Sequence, residues 1–357
     1  MASLNQLIKK RWLVPGIIIL VLLLLRLALP YFVKAYVNEV LSGIPGYTGA
    51  IEDIDIALYR GAYTIEGLYL IEESAAMDVP MLKIPVADIS VEWSALFDGE
   101  IVSEIILDRP EYIYLFENQK AVETTTETDD WSKALTDLVP IQINKFEAKQ
   151  AKIAFVQVTT EPNIDLHIDN LDVTATNLRN VVREDENLPS ALSANGVSVG
   201  GGSFNLEGKM DLVREIPDLD LTFALEDSDA SALNAFAQHY AKLDFEQGMF
   251  NLFGEIVIAD GYLQGYMKPI LKNAKLLGKE DGFLETLWEG FVGFFKFILK
   301  NKSENTLATK VPIEGDLNDV KSKTFPAVLN ILKNGWIKAY SEKVDDEVEF
   351  KDVKKED

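Results

Sequence analysis

The chain of 357 residues contains no cysteine and only two histidines, His167 and His239. Without thiols there is no disulfide framework, thiolate zinc site, iron–sulfur cluster or cysteine nucleophile. Two histidines leave little for metal or triad chemistry. His167 reads as part of the wet side of a strand, and His239 as a surface or core-contact residue of a helix. Positive charge is also scarce, with 34 basic against 57 acidic residues and a net charge of −23. A nucleic-acid surface needs clustered Lys and Arg to displace counterions, so nucleic acid is not an expected partner. Phosphate-binding signatures are missing too. Gly200-Gly-Gly202 continues into neither a P-loop nor a dinucleotide fingerprint and reads as a turn. Gly196-Val-Ser-Val-Gly200 has the Gly-x-Ser-x-Gly spacing but leads into the Gly200-Gly-Gly202 turn rather than into a helix, so it does not read as a nucleophile elbow, and no EF-hand loop occurs. Asp53 with Asp55, and Asp218 with Asp220, have the form of carboxylate dyads, but strand alternation already sets their spacing. The sequence predicts no catalytic residue, no metal site, no cofactor and no enzymatic activity.

One long hydrophobic run is present. Residues 12–33 carry a single charge, Arg26, and 16–25 have no polar side chain. A helix crossing a bilayer needs about 20 apolar residues, so this run is long enough. Trp12, Leu20 and Leu25 are its expected anchor residues, and Arg26, near the outer end, can snorkel to the headgroups. Lys9, Lys10 and Arg11 precede the run, and Glu39 is the only acid before residue 52. The positive-inside rule then places 1–11 in the cytoplasm and everything beyond 33 across the membrane. A cleaved signal peptide is the rival reading, with Val33-Lys34-Ala35 as a weak cleavage pattern. The run is long for a signal core, and Pro30 and Tyr31 lead straight into an ordered-looking segment, which favours an uncleaved anchor. An exported body without thiols suits a bacterial envelope compartment. The expected location is a bacterial inner membrane, crossed once, with the bulk of the chain in the periplasm.

Residues 30–41 read as a short amphipathic helix, ended by the glycines and proline of 43–49. The period then changes from 3.6 to 2. Ile54 and Ile56, Ile89 and Val91, Ile153 and Phe155, and above all Ile164, Leu166 and Ile168 alternate with polar residues, as do Leu219, Leu221, Phe223 and Leu225. Such alternation makes one face apolar and the other wet, the habit of antiparallel sheet covered on one side. About 15 strands are expected, spaced by turns, as in a sandwich, a barrel or a long curved sheet.

Three helical stretches interrupt the strands. Residues 229–243 place Leu233, Phe236, Ala237, Tyr240 and Leu243 on one face, with Asp229 capping the first turn. Residues 325–340 carry apolar side chains at helical spacing. Residues 283–299, with Phe283, Leu287, Phe291, Phe294 and Phe295, are more apolar still, but Glu285, Glu289 and Lys296 make them too polar to span a bilayer. They read either as a helix lying over the apolar face of the sheet or as an amphipathic segment touching lipid. The expected organisation is a cytoplasmic 1–11, an anchor 12–33, a first β module 34–118, a Thr- and acid-rich linker 119–130, a continuing β module with amphipathic helices 131–341, and a charged, fraying tail 342–357.

Several patches resemble the AsmA-like superfamily, in its envelope branch long labelled as a domain of unknown function. They are Leu29-Pro-Tyr-Phe-Val-Lys-Ala-Tyr-Val-Asn-Glu-Val-Leu41, Gly46-Tyr-Thr-Gly49, Leu58-Tyr-Arg-Gly-Ala-Tyr63, Gly67-Leu68, Ser90-Val-Glu-Trp-Ser-Ala-Leu96, Gly99-Glu-Ile-Val102, Leu107-Asp-Arg-Pro110, Trp131, Pro140-Ile-Gln-Ile-Asn144, Asp260-Gly-Tyr-Leu-Gln-Gly-Tyr-Met-Lys-Pro269 and Val311-Pro-Ile-Glu-Gly-Asp-Leu317. The resemblance implies an inner-membrane anchor followed by a bent sheet enclosing a lipid-lined groove, with roles in phospholipid movement or outer-membrane assembly. It carries over no catalytic residue.

The resulting expectation is a mainly β chain with a few helices: a transmembrane helix, then an elongated curved antiparallel sheet forming a groove. Ile164, Leu166, Ile168, Leu219, Leu221, Phe223 and Leu225 would line that groove. Fifteen strands about 4.8 Å apart make a trough of roughly 70 Å, too short to bridge a Gram-negative periplasm unaided. Expected partners are the inner membrane, phospholipid and other envelope proteins. The competing expectation is an assembly scaffold whose sheet is filled by its own helices. Alternation fits an open trough and a closed sandwich equally well.

Overall fold

A computed structural model describes residues 2–57, 61–73, 79–91, 102–115, 142–178, 188–211, 218–241, 243–278, 306–308, 310–317 and 353. The segments 119–130, 283–299 and 325–340, and with them Phe283, Leu287, Phe291, Phe294 and Phe295, lie outside the described residues.

Helix α1 (Ala2–Ser42) runs unbroken through Pro15 and Pro30, so the apolar run and the short amphipathic helix expected after it form one rod. The side chains of Trp12 and Leu25 are outside the described set. Among described residues, no helical stretch is long and apolar enough to cross a membrane. Near its C-terminus Val33, Val37 and Leu41, four residues apart, fall on one side and enter the first core together with Ile54, Ile65, Leu70, Ile84 and Ile105. Asn38 Oδ1 accepts from the Ile51 backbone N–H at 2.7 Å, and Lys34 Nζ donates to the Glu52 carbonyl. The helix is thereby tied to the sheet by polar as well as apolar contacts.

Fifteen strands form one sheet among the described residues. They are β1 (Tyr47–Ala50), β2 (Asp53–Ala57), β3 (Ala62–Glu72), β4 (Leu82–Val91), β5 (Val102–Asp108), β6 (Glu111–Leu115), β7 (Gln142–Gln157), β8 (Ile164–Thr176), β9 (Ser190–Ser198), β10 (Ser203–Asp211), β11 (Asp218–Asp229), β12 (Leu243–Ala259), β13 (Tyr262–Gly278), β14 (Thr306–Ala308) and β15 (Val311–Asp316). The order is β1-β3-β4-β5-β7-β8-β9-β10-β11-β12-β13-β14, with β2 beside β3, β6 between β4 and β7, and β15 beside β13. Among the described residues the first and last strands do not pair with each other, and the sheet is long and curved.

The expected antiparallel sheet is in fact mixed, because β5 and β6 both run parallel to β7. A parallel step needs a crossover of a dozen residues or more, and the chain between Leu115 and Gln142 supplies that length. Side-chain alternation is identical in parallel and antiparallel pairs, so the pattern alone is blind to this seam.

A crease runs across the strands. β1 and β2 pair with β3 on either side of Gly67, whose φ is +64° and which faces Pro85 between the pairs Glu66–Val86 and Leu68–Ile84. In line with them, Arg109 (φ 49°) separates β5 from β6, and Gln150 (φ 51°) and Asn170 (φ 48°) bulge β7 and β8. A proline cannot donate to the ladder and a bulge bends its strand, so these residues fold the sheet along a common line. Each bulge also shifts the alternation by one, which keeps Ile65 and Leu68, or Ile168 and Leu171, on the same side. Residues from both sides of the crease meet in shared cores.

After β11 the chain forms a 3-10 turn, Ala230–Leu233, and helix α2 (Asn234–Ala241). Asp229 caps the turn as expected, accepting from Ser231 N at 2.9 Å. The helix ends earlier than its apolar spacing suggested, and Leu243 opens β12 instead. Asn234 locks that corner, accepting from Phe245 N at 2.7 Å and donating to the Phe245 carbonyl at 3.0 Å.

Candidate functional site

Cross-strand partners share a face of the sheet, so the register traces each face from strand to strand. One row of partners is Ile54, Ile65, Ala87, Leu107, Ala148, Val173, Ala194, Leu206, Phe223, Gly254, Met267 and Val311. It crosses β2, β3, β4, β5, β7, β8, β9, β10, β11, β12, β13 and β15 without one polar side chain. Two residues along each strand lies a second row: Ile56, Tyr63, Ile89, Ile105, Phe146, Ala175, Leu192, Gly208, Leu221, Ile256, Gly265 and Ile313. Its only heteroatom is the Tyr63 hydroxyl.

The row between them, on the opposite face, reads Asp55, Thr64, Asp88, Ile106, Glu147, Thr174, Ser193, Glu207, Thr222, Glu255, Tyr266 and Pro312. A shift of one residue thus converts an oily row into a mostly polar one. Eleven strand spacings make the rows about 50 Å long, roughly three times the depth of one leaflet's hydrocarbon.

Ile164, Leu166 and Ile168 lie on this apolar side of β8, and Leu219, Leu221, Phe223 and Leu225 on that of β11; the structure brings both candidate sets onto one face. Ile164 is buried, while the other six are half-buried. Exposure varies along the rows. The first end is covered by the close of α1, and the last, at Leu263, Leu271, Val311 and Ile313, is buried as well. Between them Val173, Leu192, Leu206, Leu221 and Phe223 are half-buried. Over β3 to β8 a second wall rises beyond the crease, through Leu70, Leu82, Tyr112, Ile153 and Ile168 to the buried Ser198.

Glycines shape the floor. The ring of Phe223 lies across Gly254 so closely that a Cβ there would stand 2.2 Å from Phe223 Cζ. The aromatic ring therefore lies down on the sheet.

The other face carries charged and hydrogen-bonded side chains. His167 sits between Asp165 and Asp169, with Nδ1 2.9 Å and Nε2 3.4 Å from their carboxylates, and Lys152 lies 3.6 Å from Asp169. This solvated row occupies the wet side, as the alternation expects. Glu147 is held below the ordinary carboxylate range by its hydrogen bond from Lys145 at 2.6 Å, with Lys149 at 3.3 Å adding to the effect. Asp218 is buried, and its carboxylate accepts from Asp260 N at 2.8 Å, fixing the Asp260-Gly261 turn between β12 and β13. No group of three or more His, Asp or Glu side chains arranged to hold a metal ion is found among the described residues.

Sequence reasoning missed two features. At β12 and β13 both faces are buried, with Phe253, Val257, Ala259, Tyr266, Lys268 and Ile270 on the side expected to be wet. The near-continuous apolar run 249–259 was the available signal. Val353, from the tail expected to fray, is buried against Val257 and Ala259. No family model matches the chain, and no curated protein matches it.

Proposed function

We propose that this is an inner-membrane-anchored periplasmic protein that binds phospholipid acyl chains in its sheet trough and contributes to lipid transfer or envelope homeostasis. The observation that carries the reading is the pair of apolar rows crossing twelve strands, half-buried in their middle stretch. Water gains nothing by contact with such a wall, whereas each acyl CH₂ buried there is worth about 0.8 kcal/mol. The AsmA-like resemblance and the apolar run 12–33 of α1 support the same reading. The lipid site is assigned to the stretch from Val173 to Phe223, where the rows are least covered, and no reaction is assigned to it.

The scaffold reading draws support from one observation, the burial of the rows at their last end, which leaves less trough than the strand count suggests. The test is mass spectrometry of lipid carried by the purified full chain after exchange into lipid-free amphipathic polymer. Phospholipid should accompany the native protein and be lost from Leu206→Asp and Leu221→Asp variants that retain native circular dichroism. Equal lipid in native and variant proteins, or none in either, sinks the acyl-chain reading in favour of a scaffold.

A further inference from the structure

α1 has a second side. The helix turns Val33, Val37 and Leu41 into the first core, yet Leu27, Tyr31, Phe32 and Tyr36 are 69%, 78%, 72% and 61% exposed. At 100° per residue, Tyr31, Phe32, Ala35 and Tyr36 fall on the side away from the core. A helix lying on a soluble sheet ordinarily turns charge to that side. Here three aromatic side chains occupy it, and the first exposed acid is Glu39, one turn further on.

We propose that this aromatic side of α1 lies in the headgroup layer of the bilayer that residues 12–33 enter, and so seats the first end of the sheet directly on the membrane. The inference rests on the anchor reading of 12–33, and its occupant is the lipid surface. The rise of the helix decides the depth. Twenty residues cross the hydrocarbon, so a span beginning near Trp12 ends near Phe32. Tyr36 then stands about 6 Å further out, inside the interfacial layer, which is some 5–8 Å thick on each side. Tyrosine suits that layer, with an apolar ring and a polar tip. Glu39 and Ser42 emerge into water beyond it. Because α1 is one rod and Asn38 holds Ile51, the seat fixes β1 and β2 as well, bringing Ile54 and Ile56, where both apolar rows begin, close to the lipid.

The absence of native cysteine makes single spin labels clean to place. The full chain carrying Leu20→Cys, Ala35→Cys or Val197→Cys is labelled and reconstituted in phosphatidylethanolamine/phosphatidylglycerol vesicles. Depth is read from accessibility to oxygen against a water-soluble nickel chelate. The expected order is Leu20 deepest, Ala35 at headgroup level and Val197 in water. Adding Tyr31→Ser, Phe32→Ser and Tyr36→Ser should move the Ala35 label several-fold toward the aqueous value while Leu20 stays deep; these side chains are exposed, so the fold is not at stake. A deep Leu20 with an aqueous Ala35, or an Ala35 label unmoved by the three serines, overturns the seat and leaves the anchor standing. An aqueous Leu20 overturns the anchor and the seat together.

Discussion

At the scale of single residues, the polar contacts that matter are the ones that hold turns and caps in place. Asp229 accepts from both the backbone N–H and the hydroxyl of Ser231, at 2.9 and 2.8 Å, and these bonds hold its carboxyl below the ordinary range. Losing such a cap costs about 1 kcal/mol, so Asp229→Ala should lower the denaturation midpoint by that equivalent at neutral pH. The sign with pH follows from the lowered folded value. The contribution is complete above the unfolded carboxyl value near 4 and drains away as pH falls through the folded one, so the gap between native and variant proteins should close in acid. Tyrosines behave in the opposite sense. Burial raises the phenol of Tyr63, and burial with the nearby charge of Glu72 raises that of Tyr112. Both stay neutral in the fold, so their contribution is full below the unfolded value of about 10 and is lost as pH rises through the higher folded values. Phenolate absorbance should show these two ionising late, and Tyr63→Phe should remove one late step.

At the scale of elements, the alternating segments were legible because burial on one face writes itself into every second residue. Ile164, Leu166 and Ile168 and the set from Leu219 to Leu225 fall where period-2 reading puts them. Phase was harder to read. Asn170 at φ 48° resets the count inside β8, so Ile168 and Leu171 share a face although three residues apart, and nothing in the pattern marks an asparagine as a bulge rather than a wet position. Strand direction was invisible at the seam between β5 and β7, for alternation does not record it. The end of α2 was missed because Leu243 suits a helix stripe and a strand start equally, and Asn234 decides the matter through its paired bonds to Phe245. The contact between α1 and the sheet is legible only as four-residue spacing. Leu41 is wholly buried there, so Leu41→Ala should cost about 3 kcal/mol by chemical denaturation. An exposed neighbour such as Ser42→Ala should cost little.

At the scale of the whole molecule, local patterns add up to a property none of them has alone. Each strand supplies two or three apolar positions, and the crease through Gly67, Arg109, Gln150 and Asn170 turns them toward a common axis. The rows so formed are about 50 Å long, a length set by the number of strands rather than by any motif. Their covered ends and half-buried middle confine the proposed lipid site to the central strands, while β12 and β13 are buried on both faces. The wet face differs from the oily one by a single step along each strand, and this sets the most direct test. A photo-crosslinking residue is placed in turn at Leu206, Leu221 and Phe223, and at their neighbours Glu207 and Thr222, in the full chain in membranes. Phospholipid adducts are expected at the first three positions and at neither of the other two. Equal labelling on both faces, or labelling at Glu207 and Thr222 alone, would contradict a trough that holds lipid.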